Sequence, residues 1–184
     1  MRQQEKFGYR KYQGFCAVTL PYVPRDIQFL ILLPDATNGL VALEASLTPY
    51  LFTRVAQQSE QEMVLYLPRF KLEPPMLPLG KELKTLGMKS AFDQPAGSAN
   101  FDRIAPRRPE DYLYISEVFH ESFIKLDEEG TEAAAATAVG MPAAVGIHEP
   151  VTPIEVKVDL PFLFAIQHRP SGACLFLGRV TDPR

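Results

Sequence analysis

Three histidines, a run of acids and two cysteines are the residues in this chain whose types most readily carry acid/base, metal or thiol chemistry. General acid/base work needs titratable groups that converge on one substrate, and a metal centre needs donors at spacings that share one face. His120 falls in a predicted buried strand, His148 in a proline-rich loop and His168 in a hairpin turn, so no pair has ligand spacing and no metal is expected. Asp127, Glu128, Glu129 and Glu132 suggest paired carboxylates, but neighbours on an extended chain point to opposite faces, so Glu128 and Glu129 do not converge. They read as a solvated strand end or a cap. His120 reads as a core histidine with hydrogen-bond partners. Cys16 and Cys174 each lie inside an apolar run, which favours free buried thiols, with a disulfide as the alternative. Neither Gly-x-Ser-x-Gly nor a glycine-rich phosphate loop occurs. The expectation is a protein that is not an enzyme and uses no cofactor.

The acidic run leads through Gly130 into Thr131, Glu132, four alanines from Ala133 to Ala136, and Thr137. Alanine beside glutamate favours helix, and alanine is a poor strand former. Gly140, Pro142, Gly146, Pro150 and Pro153 then rule out regular structure for a long stretch. A helix-prone run is thus joined to a loop, and dense hydrophobic strands follow.

Those strands frame the tract on both sides. Residues 15–22 and 27–33 read as two strands separated by Val23-Pro24-Arg25-Asp26, and the second is so apolar that it must be covered on both faces. Leu43, Leu47, Leu51 and Val55 recur at helical spacing, with Pro49 tolerable close to a helix start. Residues 63–70 alternate like a strand with one buried face, Pro68 marking a kink or edge. Leu79, Leu83 and Leu86 form a short helical stripe that stops at Gly87, a position suited to a left-handed cap. Residues 96–109 read as loop. Residues 112–126 read as one strand, with Ile115, Phe119 and Phe123 opposite a second largely apolar face, so it should lie inside a sheet. Residues 162–167 and 174–180 flank a hairpin turn at His168-Arg169-Pro170-Ser171-Gly172.

Over 184 residues, 46% hydrophobic and 22% charged content suits a folded globular chain, and a net charge of -3 gives no footprint for nucleic acid. No window approaches a membrane span, and the charged first residues lack an apolar signal core. Neither nucleic acid nor membrane is expected as a partner.

Residues 115–137, ending in Gly130-Thr131-Glu132-Ala133-Ala134-Ala135-Ala136-Thr137, resemble the fifth central strand and loop hinge of the serpins, protease inhibitors that insert their own reactive loop into their central sheet. Pro161-Phe162-Leu163-Phe164 and Leu175-Phe176-Leu177-Gly178-Arg179-Val180-Thr181-Asp182-Pro183 are similar to the family's closing signature. Leu20-Pro21-Tyr22, Ile31-Leu32-Leu33-Pro34, Leu67-Pro68-Arg69-Phe70 and Leu86-Gly87-Met88 fall in the family's order. The resemblance covers essentially the whole chain, but a complete serpin is considerably longer. It implies an α+β, β-rich serpin fold of several sheets with helices, present here as a partial domain. Residues 1–184 would be the carboxyl-terminal portion of one serpin domain, with hinge and reactive loop at about 128–157.

The implied activity is inhibition of a serine-type endopeptidase by suicide cleavage of the exposed loop and its insertion. The amino-terminal half, absent from this sequence, would be required for it. Under that reading Thr131, Ala133, Ala135 and Thr137 form the inward face of an incoming strand, all small enough to enter without overpacking, and Gly130 supplies the pivot. The hinge comprises Glu128, Glu129, Gly130, Thr131, Glu132, Ala133, Ala134, Ala135, Ala136 and Thr137. Family spacing places the cleaved bond between Ala144 and Val145, within residues 141–148. Small side chains there, and no arginine or lysine between Glu129 and Val156, point to an elastase-like or subtilisin-like protease as partner. His120 matches the family's histidine where the central sheet opens. An extracellular setting is implied by the family; no signal segment is seen, so a cytoplasmic setting is the alternative. The alternatives are a non-inhibitory interaction or substrate protein, or an inactive truncated fragment.

Overall fold

The computed structural model describes residues 1–108, 111–127 and 152–183. They form two compact units, one made by Met1–Phe70 with the described residues from Leu126 onward, the other by Lys71–Lys125.

The first unit is built on a seven-stranded sheet. Its strands are β1 (Arg2–Tyr12), β2 (Phe15–Pro21), β3 (Ile27–Pro34), β4 (Glu60–Tyr66), β9 (Ile154–Lys157), β10 (Phe162–His168) and β11 (Ala173–Val180), in the spatial order β11-β10-β3-β2-β1-β4-β9. Every neighbouring pair is antiparallel except β4 with β9, which is parallel. Residues 29–33 behave as their continuous apolar character demands: β3 has β2 on one side and β10 on the other, and Leu30 and Ile31 are fully buried.

One face of the sheet packs Ala17, Leu30, Leu32, Leu163 and Ala165 against Leu43 of α1 (Leu40–Ala45) and Val55 of α2 (Pro49–Ala56). The four-residue apolar repeat expected to make one helix is split in two. Pro49 cannot donate a backbone hydrogen bond, so the chain stops at Ala45, turns extended at Thr48 and restarts with Pro49 in the first turn, where Thr48 Oγ1 accepts from Leu51 N–H at 3.1 Å. Leu43 and Val55 stay buried, and Leu47 and Leu51 pack beside them. Phe29, Phe164, Phe162 and Phe70 form an aromatic chain of their own, with centroids 5.4 to 5.9 Å apart.

A buried amide network closes one end of the sheet. Gln167 donates to Phe52 O at 2.7 Å and to Gly172 O at 3.0 Å, and accepts from Gln28 Nε2 at 2.8 Å, so three distant segments meet at one fully buried side chain. The expected hairpin forms, with Gly172 at φ +70° in its turn. Its outer strand is less covered than its apolar sequence suggests: Leu175, Phe176 and Leu177 are about half exposed, and Cys174 is exposed where a buried thiol was expected. The physical reason is position, since among the described residues β11 is an edge strand with β10 as its one neighbour. Both cysteines are free, Cys16 alone being buried, so the disulfide alternative is excluded.

The chain leaves this unit through β5 (Phe70–Leu72) and returns at β8 (Ile124–Leu126). Between them, the second unit contains β6 (Leu77–Pro78), α3 (Gly80–Thr85), a single 3-10 turn at Ser90–Phe92 and β7 (Phe119–His120). α3 ends as its glycine foretold. Gly87 has φ +103°, Gly87 N–H bonds Lys84 O at 3.1 Å and Met88 N–H bonds Leu83 O at 2.9 Å, the pairing of a Schellman cap. Leu86, expected in the apolar stripe, is instead 84% exposed. A polar clasp orders the following loop: Asp93, in the left-handed region at φ 58°, accepts from Tyr112 OH at 2.7 Å and Ala99 N–H at 3.1 Å. Arg107 donates to Ala99 O and Gly97 O and lies 4.2 Å from the Tyr112 ring centroid.

Residues 112–126 depart from expectation. Only β7 and β8 are strand, and Tyr114, Phe119 and Phe123 are more than half exposed. A strand is buried on both faces only when neighbours and a second layer cover it. Among the described residues β7 has one two-residue partner, β6, with Leu77 opposite His120 and Pro78 opposite Phe119.

Candidate functional site

The hinge, Glu128 to Thr137, and the bond between Ala144 and Val145 lie outside the described residues. What the structure describes is how the chain enters and leaves this tract. On the entry side, β8 ends at Leu126, which is buried.

On the exit side, Ile154–Lys157, placed inside the loop by sequence, forms β9 and lies parallel to β4, with Met63 opposite Ile154 and Tyr66 opposite Lys157. The ladder continues past the strand, Val158 N–H bonding Tyr66 O at 2.8 Å. Val156 and Val158 are buried, whereas Glu155 and Lys157 share the opposite, exposed face. Lys157 Nζ is 2.8 Å from Glu155 Oε1 and 5.6 Å from the Tyr66 ring centroid. Hydrogen bonding to Glu155 raises the Lys157 pKa above its ordinary value. The signal for this anchor was present as the alternation of Ile154, Val156 and Val158, hidden behind Pro153. The loop's far end is thus tied into a sheet rather than left free.

His120 is not the buried core histidine the pattern implied. It is exposed in β7, and the chain around it is held by Leu79 N–H to Val118 O at 2.7 Å and Ile115 N–H to Ala91 O at 2.9 Å. Sequence reading also missed Glu117, whose Oε1 accepts from Gly80 N–H at 2.7 Å, at the start of α3, and from its own neighbour Val118 N–H at 2.9 Å. No local signal marks such a pairing across 37 residues. His168 sits in the hairpin turn with Nδ1 2.7 Å from Ser171 Oγ. His148 lies outside the described residues. Among the described residues, no group of three or more histidine, cysteine or acidic side chains could hold a metal, and no helix is long and apolar enough to cross a membrane.

The decisive comparison is with a family model for serpins, serine protease inhibitors, which matches residues 1–183. The chain belongs to the serpin family. Among curated serpins it is 40% identical over 167 residues to mouse Serpin B10, covering 89% of this chain and 40% of that protein. It is 39% identical over 169 residues to Serpin B6 of Pongo abelii, covering 90% of this chain and 42% of that one. Two solved serpin-like structures share its fold. Tengpin, a thermophilic serpin in its native state, superposes with a TM-score of 0.73 at 31% identity, over 99% of this chain and 45% of tengpin. Uncleaved ovalbumin gives 0.72 at 26% identity, over 100% of this chain and 47% of that one. The expected β-rich serpin fold is therefore present in part, and the chain spans about two fifths of the length of the curated serpins it matches. These relatives lend no support to the extracellular setting expected from family resemblance.

Proposed function

We propose that this serpin chain supplies the carboxyl-terminal portion of one inhibitory serpin domain, including the hinge and the protease-cleaved loop. In the whole protein a serine protease attacks the exposed bond between Ala144 and Val145, forms an acyl-enzyme, and is carried along and distorted as the loop inserts. The observation that carries the reading is the hinge composition, with Thr131, Ala133, Ala135 and Thr137 alternating small side chains beyond Gly130. A bulky or charged side chain on that face would overpack or charge the core it enters. His120 lies in the zone where the receiving sheet opens.

Serpin loop insertion is itself a known instance of strand addition and of stored strain released. Each backbone hydrogen bond gained is worth about 0.5 to 1.5 kcal/mol, so a strand of about a dozen residues supplies on the order of 10 kcal/mol. That rivals the stability of a whole domain. β9 supports the mechanism from the other end: with the carboxyl-terminal side of the loop tied into a sheet, cleavage between hinge and β9 frees the hinge side to insert while the other side stays in place. The target is an elastase-like or subtilisin-like enzyme, whose shallow specificity pocket accepts alanine or valine.

A second reading applies to this chain on its own. Phe119 and Phe123 stand exposed and the only ladder partner of β7 among the described residues is β6, so the slot for insertion is incomplete and the loop is a substrate. The two readings separate on a denaturing gel after incubation with an elastase-like protease. This chain is expected to be cut within residues 141–148 without forming a covalent complex. The same chain completed with an amino-terminal serpin half is expected to form one, and Thr131→Arg in that protein to turn complex into simple cleavage. A completed protein that is only cleaved, or inhibition indifferent to Thr131→Arg, overturns the inhibitory reading.

A further inference from the structure

The unit Lys71–Lys125 carries an open hollow of its own. It has a volume of about 500 Å³ and is lined by Lys81, Lys84, Thr85, Lys89 and Glu117. Its volume falls among small-ligand clefts, roughly 300 to 1,000 Å³, but it lies open to solvent, and where such clefts are mostly apolar this one is lined by ammonium groups.

The placement of the three lysines follows from the helix and its cap. Lys81 and Lys84 are three residues apart on α3 and so share one side of it. Lys89 reaches the same space because the left-handed Gly87 reverses the chain at the helix end. The Lys84 ammonium is 4.8 Å from the centroid of the Phe92 ring, which steadies it from one side.

The lining carries more positive than negative charge among the described residues. Among the described residues none of the three lysines is in an ion pair. Glu117 is the single carboxylate in the lining among the described residues; its Oε1 is held by the backbone N–H groups of Gly80 and Val118, and its one negative charge leaves the three ammonium groups in excess. Thr85 gives its hydroxyl proton to Lys81 O at 3.0 Å and lines the space without donating into it. Three like charges facing one space repel one another, and an anion bound among them relieves the repulsion.

We infer that this cavity is a binding site for a small, multiply charged phosphate compound. Lysine recognises phosphate as a mobile point charge rather than a rigid fork, so three lysines suit a chain of phosphoryl groups better than one planar carboxylate. The site stands whether or not the protein inhibits a protease.

Titration calorimetry of the full chain with inorganic tripolyphosphate tests it. The expected result is saturable one-to-one binding that weakens as salt rises. Changing Lys81, Lys84 and Lys89 together to glutamine should weaken binding at least about tenfold, since three charge contacts are lost. Glu117→Gln keeps the acceptor oxygen that holds Gly80 N–H while removing a repelling charge, so it should bind tripolyphosphate more tightly. Circular dichroism of each variant verifies that the fold is retained. No saturable binding, binding indifferent to the triple change, or weaker binding by a folded Glu117→Gln overturns the proposal. Displacement of tripolyphosphate by inorganic sulfate at equal ionic strength overturns the assignment to phosphate.

Discussion

In β3 the apolar run at residues 29–33 lies between hydrogen-bonded β2 and β10, and Phe29 is only 2% exposed. In residues 112–125 a similar density of apolar side chains meets water, with Phe119 60% and Phe123 54% exposed. Both read from sequence as strands buried on two faces. The difference teaches that such burial is a property of the neighbours a strand finds, not of the strand. β3 gains a layer of helices on one face and aromatic rings on the other, whereas the only ladder partner of β7 among the described residues is the two-residue β6.

The largest effect that can break this comparison is truncation of a ring. Phe162→Ala, at a site fully buried in the sheet, should cost about 3 to 5 kcal/mol, whereas Phe119→Ala should stay within about 0.5 kcal/mol. Denaturant unfolding reads both as midpoint shifts. Equal costs would mean that Phe119 is covered in solution and the contrast is false.

Gly178→Ala sharpens the contrast within the first unit. A Cβ at that position would lie 2.4 Å from Phe164 Cζ and 2.8 Å from Phe164 Cε1, so the ring must shift in a packed layer. A destabilisation of about 1 to 3 kcal/mol is expected, even though the strand that carries Gly178 is largely exposed. No loss of stability would show that β11 yields as freely as residues 112–125.

The smallest effect lies in the second unit and is read by pH. The hydrogen bond from Tyr112, followed by the backbone N–H groups of Ala99 and Gly97 and the charge of Arg107, holds the Asp93 pKa below the ordinary carboxylate value. A depressed carboxylate contributes stability above its unfolded pKa and loses it as pH falls through the folded one. The same bond to Asp93 raises the Tyr112 pKa, so that contribution is present below the ordinary phenol value of 10.0 and fades as pH climbs through the raised one. Carboxyl chemical shifts followed against pH should show Asp93 titrating low in the parent chain and closer to normal in Tyr112→Phe. An unmoved Asp93 titration would remove the clasp as the source of order in this loop.

How much of this was legible in the sequence depended on whether the deciding interactions were local. β2, β3 and the closing hairpin are dense in apolar residues and bounded by turn residues, and they form within a residue or so of the expected bounds. The cap at Gly87 was readable because only glycine enters the left-handed region at no steric cost. β1 was not readable: arginine, lysine and glutamine fill its first residues, and it is a strand because β2 and β4 offer ladders on both sides. His120 and its segment were misjudged for the converse reason, since the pattern states a demand for cover that the described residues do not meet. At the candidate site, the alternation of Ile154 and Val156 carried β9, but Pro153 and the preceding loop drew the boundary too late.

The ladder between β3 and β10 has a consequence for how the molecule is made. Gln28 and Gln167, which meet in it, are 139 residues apart, so a ribosome releases this inner strand of the sheet long before the strand that pairs with it. Through that interval one edge of β3 offers unpaired backbone groups on an apolar ribbon, the kind of template to which another chain can add. Closing so distant a contact is intrinsically slow. The period of greatest risk for this protein is therefore the wait for the final hairpin, and conditions that suppress association during it, such as lower chain concentration or a holding chaperone, should raise the yield of folded molecules more than any change that only deepens the finished core.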